Sequence, residues 1–208
     1  MDDLVEEVVG IGGRDLCLLR PRDAEALLSE EAFEEDEFLP YWAELWPSAS
    51  ALARAVGVRS LRGARVLELG CGLGLPSLAA AVAGGRVTAT DWAPDATAML
   101  VRNAARNGLT IEALTVSWTE PSLLVRRAPW DLVLASDVLY EPRNGVALLA
   151  LLPRLVDVRG EIWLADPGRA AARPFLEAVA ETFTVDSRPA PEIPSGGVHH
   201  LRLRGSTS

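Results

Sequence analysis

Arg65-Val66-Leu67-Glu68-Leu69-Gly70-Cys71-Gly72-Leu73-Gly74 decides how the rest of the chain is read. Five residues form a short buried strand, and three glycines at alternate positions end it before an Ala/Leu-rich helix that runs through about Ala83. Outward from there, Arg86-Val87-Thr88-Ala89-Thr90 is a second strand ending at Asp91, and Pro94 opens a helix that Asn107-Gly108 closes. Ile111 to Val116 is a third strand, Asp131 to Ala135 a fourth, Val146 to Val156 a helix, and Glu161 to Ala165 a fifth strand. Residues 170–181 read as helical. Phe183-Thr184-Val185 and Val198 to Leu203 then form two antiparallel strands around the Pro/Gly-rich turn from Pro189 to Gly197. Short β-branched runs alternating with longer Ala/Leu-rich ones are the pattern of strand and crossover helix, so the class is α/β with a parallel sheet. Upstream, Val5 to Val9 and Leu16 to Leu19 flank Gly10-Ile11-Gly12-Gly13 as a small hairpin. Tyr41, Trp42 and Trp46 begin an apolar helix through Val56.

The chain of 208 residues has the length of one domain, and 49% hydrophobic with 24% charged residues is ordinary globular composition. Its net charge of −9 disfavours a sequence-independent grip on nucleic acid or an anionic membrane surface. Residues 1–40 hold 13 acids against Arg14, Arg20 and Arg22, so the acidity belongs to the N-terminal part and the remainder is nearly balanced. The expected organisation is a single domain over 1–208, with 1–58 an acidic extension and lid and 59–208 the ligand-binding core. Lysine is absent. Cys17 and Cys71 show neither disulfide-framework nor zinc spacing, and His199-His200 stand alone, so no metal site is expected. Met1-Asp2-Asp3 lacks the positive start of a signal peptide and no apolar run reaches membrane-span length. A monomer in a reducing cytoplasm is the expectation.

Glycines after a buried strand and before a helix let the backbone approach a ligand at the carboxyl edge of a parallel sheet. A dinucleotide calls for G-x-G-x-x-G, with the pyrophosphate on the helix N-terminus. Here the spacing is Gly70-x-Gly72-x-Gly74, and Glu68 stands two residues before the first glycine, where it would repel a phosphate and suit a cation. Asp91, 21 residues after Gly70, is placed to bond the two hydroxyls of a ribose, and Trp92 offers an aromatic face to adenine. A nucleoside without phosphates, carrying a positive centre and an amino-acid tail, describes S-adenosylmethionine.

Glu68 to Gly74 with Asp91 resembles the first motif and ribose-binding acid of class I, seven-β-strand methyltransferases, over roughly residues 40–205. The resemblance implies a Rossmann-like doubly wound sheet of order 3-2-1-4-5-7-6 with strand seven antiparallel, behind an N-terminal hairpin/helix extension. Three further stretches narrow the family: Pro40-Tyr41-Trp42-Ala43-Glu44-Leu45-Trp46-Pro47, Ser136-Asp137-Val138-Leu139-Tyr140-Glu141 and Asp166-Pro167-Gly168-Arg169. Together they resemble the protein-lysine methyltransferases related to the electron-transfer-flavoprotein beta-subunit enzyme, with their Asp-x-x-Tyr signature. That family often has Gly-Gly-Gln after Trp-Pro, where this chain has Ser48-Ala49-Ser50, and an acid before the tryptophan at Trp118, where it has Ser117. The resemblance implies that Trp46, Trp118 and Ser136 line the cofactor pocket with the Gly70, Cys71, Gly72, Gly74 loop, and that Asp137 and Tyr140 face the acceptor.

Chemistry supports the same residues. Methyl transfer from a sulfonium to an amine is an in-line displacement in which alignment and exclusion of water supply much of the rate. The amine must be neutral, and lysine has a pKa of about 10.4 in water. Asp137 could hold the amine and Tyr140 orient its lone pair. Tyr41, Trp42 and Trp46 could shelter the alkyl stem and the cationic product, with Asp166 and Arg169 also on the substrate side. Plainer readings compete: Asp137 as a cap, Tyr140, Tyr41 and Trp42 as packing, Asp166 to Arg169 as a turn, and Glu30 to Glu37 as a solvated face. The expected function is N-methylation of a protein lysine. The alternatives are a small-molecule methyltransferase and a cofactor-binding domain without transferase activity.

Overall fold

The computed structural model describes residues 3–24 and 40–205. It opens with a hairpin of β1 (Leu4–Ile11) and β2 (Arg14–Pro21), paired from Leu4↔Pro21 to Ile11↔Arg14 across a two-residue turn at Gly12-Gly13. The strands run closer to the turn than the sequence pattern suggested, since Ile11 is buried and stays in the ladder. The acidic run Glu30 to Glu37 falls outside the described residues. A single turn of 3-10 helix at Tyr41–Ala43 precedes α1 (Pro47–Gly57). That helix starts at Pro47 and not at the aromatic cluster, because a proline lacks the N–H that a helix interior uses and fits the first turn.

The remaining elements alternate: β3 (Arg65–Leu69), α2 (Leu75–Val82), β4 (Arg86–Asp91), α3 (Pro94–Arg106), β5 (Glu112–Thr115), α4 (Ser122–Arg126), β6 (Leu132–Ser136), α5 (Pro142–Leu151), β7 (Glu161–Asp166), α6 (Ala172–Val179), β8 (Phe183–Arg188) and β9 (Gly197–Leu203). The seven-stranded sheet has the order β5-β4-β3-β6-β7-β9-β8, which counted from β3 is 3-2-1-4-5-7-6. β5 through β7 are parallel, and β9 runs antiparallel to both its neighbours. Two helices differ from the sequence reading. α4 is five residues long, too short to show a helical period. α5 begins at Pro142 and ends at Leu151, where Pro153 turns the chain into a short 3-10 segment.

Alternation along the strands divides the core in two. Val66, Leu134 and Trp163 face one side with α1 and α2, while Leu67, Val133 and Ile162 face the other with α5 and α6. Leu52 and Val56 of α1 sit in the same cluster as Val66 and Leu78, so α1 is part of the sheet's own core and no structural break falls at residue 58. The hairpin covers α3. Buried Asn103 accepts from Leu19 N–H (2.7 Å) and donates to Leu19 O (3.1 Å) and Leu73 O (3.0 Å). One turn on, Asn107 accepts from Cys17 N–H (2.9 Å) and donates to Cys17 O (2.7 Å). Two amide side chains thus stand in for the missing neighbour of β2 and tie it to the glycine loop. Among the described residues no helix is long and apolar enough to cross a membrane.

Candidate active site

The carboxyl ends of β3, β4, β6 and β7 open onto a cavity of about 670 Å³, within the usual range for small-molecule sites. Among the described residues of the expected N-terminal lid, the stretch from Tyr41 to Ala49 borders it and the hairpin does not.

Gly70, Gly72 and Gly74 all have positive φ, of 66°, 50° and 83°, as a chain needs to turn from a strand ending at Leu69 into a helix starting at Leu75. Their missing side chains make room chiefly for protein. A Cβ on Gly70 would lie 3.1 Å from Val138 and 3.3 Å from Trp118, one on Gly72 would lie 3.2 Å from the Trp42 carbonyl, and one on Gly74 would collide with Leu100. The loop therefore works by letting the walls of the site close around it. Asp91 stitches it down: Oδ2 accepts from Gly72 N–H (2.9 Å) and Oδ1 from Ala93 N–H (3.0 Å). Each oxygen keeps a lone pair for a further donor. Burial pushes the Asp91 carboxyl up, against the pull of these backbone bonds. Gly70, Cys71, Gly72, Gly74, Asp91, Trp92, Trp118 and Ser136 all border the cavity. Cys71 is buried and its thiol is pushed up by burial, so it sits there as a small apolar group.

Two residues expected at the site are not on its wall. Glu68 is fully buried beneath the loop, with Oε2 accepting from Ser77 Oγ and Oε1 without a partner. Burial pushes its carboxyl up to about 8, so it holds a proton at neutral pH and serves the loop's underside. Asp166 is also fully buried; its Oδ1 accepts from Gly168 N–H (2.7 Å) and Arg169 N–H (2.8 Å), while Oδ2 has no partner. It shapes the turn after β7. Arg169 at the end of that turn does border the cavity.

The other end of the cavity is built from Tyr41, Trp42, Trp46, Asp137 and Tyr140. Tyr41 lies 5.4 Å from Tyr140 and 6.3 Å from Trp46, ring centre to ring centre, and Trp46 Nε1 donates to the Tyr41 carbonyl (2.8 Å). Asp137 accepts from Arg169 Nε at Oδ1 (2.5 Å) and from Ser48 Oγ at Oδ2 (3.4 Å). Burial pushes the Tyr140 hydroxyl above its ordinary range, so at neutral pH it is a phenol and not a base. Glu44, Ser48, Glu141, Arg143 and Asn144 were not singled out as site residues. Glu44 lies inside the aromatic motif, and could have been found there. Ser48 meets Asp137 across 89 residues, which no local pattern encodes.

The polar groups on this wall are unevenly spread. Arg169 pairs with Asp137, and Arg143 with Glu141, which leaves Glu44 and Asp91 unmatched by a basic side chain on the wall. The Asp91 carboxylate stands on the wall at the glycine loop and already takes the Gly72 N–H, so that end suits a cation with hydroxyls and suits a pyrophosphate poorly. S-Adenosylmethionine fits the residues present.

Fold and site together define a Rossmann-like domain with a seven-stranded sheet and a cavity at the sheet's carboxyl edge. Among solved structures, the T. thermophilus 16S rRNA N2 G1207 methyltransferase in complex with AdoMet and guanosine shares the fold, with a TM-score of 0.72 at 16% identity over 98% of this chain and 52% of that one. The lysine methyltransferase family profile matches residues 32–182, and the chain belongs to that family. The electron transfer flavoprotein beta subunit lysine methyltransferase of Xenopus laevis is 33% identical over 136 residues, 63% of this chain and 54% of that protein. A histone-arginine methyltransferase of the same species is 31% identical over 139 residues, covering 63% and 59%. The chain spans about half the length of these relatives.

Proposed function

We propose that the chain is a single S-adenosylmethionine-dependent N-methyltransferase domain, acting in the cytoplasm as a monomer on a lysine side chain of a partner protein. The observation that carries this reading is the two-ended cavity: a glycine loop without a basic residue at one end, and an aromatic wall around Asp137 at the other. The first end would hold the cofactor, with Asp91 toward the ribose and Trp92 toward the adenine, beside Trp118 and Ser136. When bound, S-adenosylmethionine would supply an electrophilic methyl group for the lone pair of a neutral amine, with the thioether as leaving group and an N-methylammonium as product.

The chain's own residues prepare the amine. Asp137 accepts an N–H of the acceptor, and Tyr140, kept as a phenol beside the Tyr41 ring, orients the amine lone pair. Tyr41 and Trp46 shield the alkyl stem from water and favour the cationic product over their faces. Glu44 at the mouth draws in basic segments. Free Cys17 and Cys71 suit a reducing compartment.

The test is to incubate the protein with radiolabelled methyl donor and a host lysate. Label should appear on a protein band as N-methyl-lysine. The chain contains no lysine, so its own side chains cannot supply that product. Label confined to small molecules would remove the protein-lysine reading, and label on arginine would change the acceptor.

A further inference from the structure

Asp137 is the only non-glycine position with positive φ among the described residues, and its side chain is 6% exposed. Its own N–H is tied to Ala165 O (2.9 Å), Oδ1 to Arg169 Nε (2.5 Å), and Oδ2 to Ser48 Oγ across 3.4 Å. Arg169 is held in turn by Asp166, which accepts its backbone N–H, and its guanidinium carbon lies 5.7 Å from the centre of the Trp46 ring. One side chain therefore joins the end of β6, the turn after β7 and the segment that carries Tyr41 and Trp46.

A guanidinium can do both things at once, since its edge donates to a carboxylate while its face rests on an indole; an ammonium cannot. Arg169 is also poorly suited to touch an amine acceptor, which arrives as a cation and would be repelled. The 3.4 Å bond from Ser48 is at the long limit for a hydroxyl donor, and Oδ2 keeps a second lone pair, so an amine N–H can bond there beside Ser48.

We propose that Arg169 is a positioning residue: it clamps Oδ1 of Asp137, leaving Oδ2 for the acceptor amine, and it fastens the Trp46 end of the aromatic segment to the sheet. The Asp137 half rests on the amine-transfer reading above, and the Trp46 half does not.

The experiment compares the full chain with Arg169→Ala, Arg169→Lys, Asp137→Asn and the Arg169→Ala/Asp137→Asn double variant. Amide hydrogen exchange over residues 40–47 should quicken in Arg169→Ala, with only partial recovery in Arg169→Lys. The initial rate of lysate labelling should fall on the order of a hundredfold in Arg169→Ala, as expected for a misplaced reacting group. The double variant should lose far less than the product of the two single losses, because the part of Arg169's effect that runs through Asp137 is already gone. If Arg169→Ala does not fold, Arg169→Lys carries the same comparisons, including its own double variant. Unchanged exchange would overturn the Trp46 half, and losses that multiply in the double variant would overturn the Asp137 half. A wild-type protein that labels nothing would overturn the amine-transfer reading and the Asp137 half with it, while the exchange comparison would still decide the Trp46 half.

Discussion

A left-handed backbone costs an L-residue roughly 1 kcal/mol, and Asp and Asn are among the few side chains that tolerate it. Asp137 adopts it at φ 58°, where its carboxylate reaches both Ser48 and Arg169. Strain of this kind persists where the surroundings over-determine it, and it points to use. Asparagine accepts the same backbone, so Asp137→Asn isolates the charge. Its unfolding free energy from urea denaturation should stay within about 1 kcal/mol of wild type, and lysate labelling should drop by on the order of a hundredfold. Full activity in that variant would reduce Asp137 to a cap. Glu68 makes a different prediction. Its folded pKa of about 8 lies above the ordinary carboxyl value, so the folded state holds a proton that the unfolded chain gives up near pH 4.5. The stability it contributes is full below that pH and is lost as pH rises toward 8, by about 3 kcal/mol between pH 5 and 8. Glu68→Gln cannot ionise. Denaturation at pH 5 and pH 8 should show the glutamine variant gaining on wild type with pH, and a constant difference would mean Glu68 is not protonated in the fold.

At the scale of elements, β2 has one partner strand and α3 supplies the other edge through Asn103 and Asn107, one helical turn apart. Asn103 also bonds Leu73 O in the glycine loop. Asn103→Ala would strand buried backbone groups at both places, and should cost about 3 kcal/mol in urea denaturation. A cost under about 1 kcal/mol would mean water replaces the amide. The closing role of Asn107-Gly108 was readable from local chemistry and is observed, with Gly108 at φ 65°. The bonds from Asn107 to Cys17, 90 residues away, were not. The strands were readable because a buried parallel strand is a contiguous apolar run. α4 was not, since five residues carry no period.

For the whole molecule, a ligand that binds only the folded chain stabilises it in proportion to the logarithm of its concentration, by about 2.7 kcal/mol at a hundred times Kd. S-Adenosylhomocysteine should therefore raise the melting temperature and NAD should not. Asp91→Asn should weaken the response, since its carboxylate pins the loop at Gly72 and, in the proposed binding mode, holds the ribose. No response of the wild type to either compound would count against the cofactor reading.

The glycine loop, the acid after the next strand and the strands around them could be read from the residues alone, because turn chemistry and apolar runs are properties of neighbours in sequence; the strand order came from the family resemblance. Which faces those residues present could not. Glu68 and Asp166 sit in the motifs yet turn away from the cavity, and the space beside the glycines goes to Trp118, Trp42 and Leu100. Ser48, Asp137 and Arg169 meet from three stretches of chain. Contacts of that span follow from how helices and loops pack across the sheet edge, and only the folded chain brings them together.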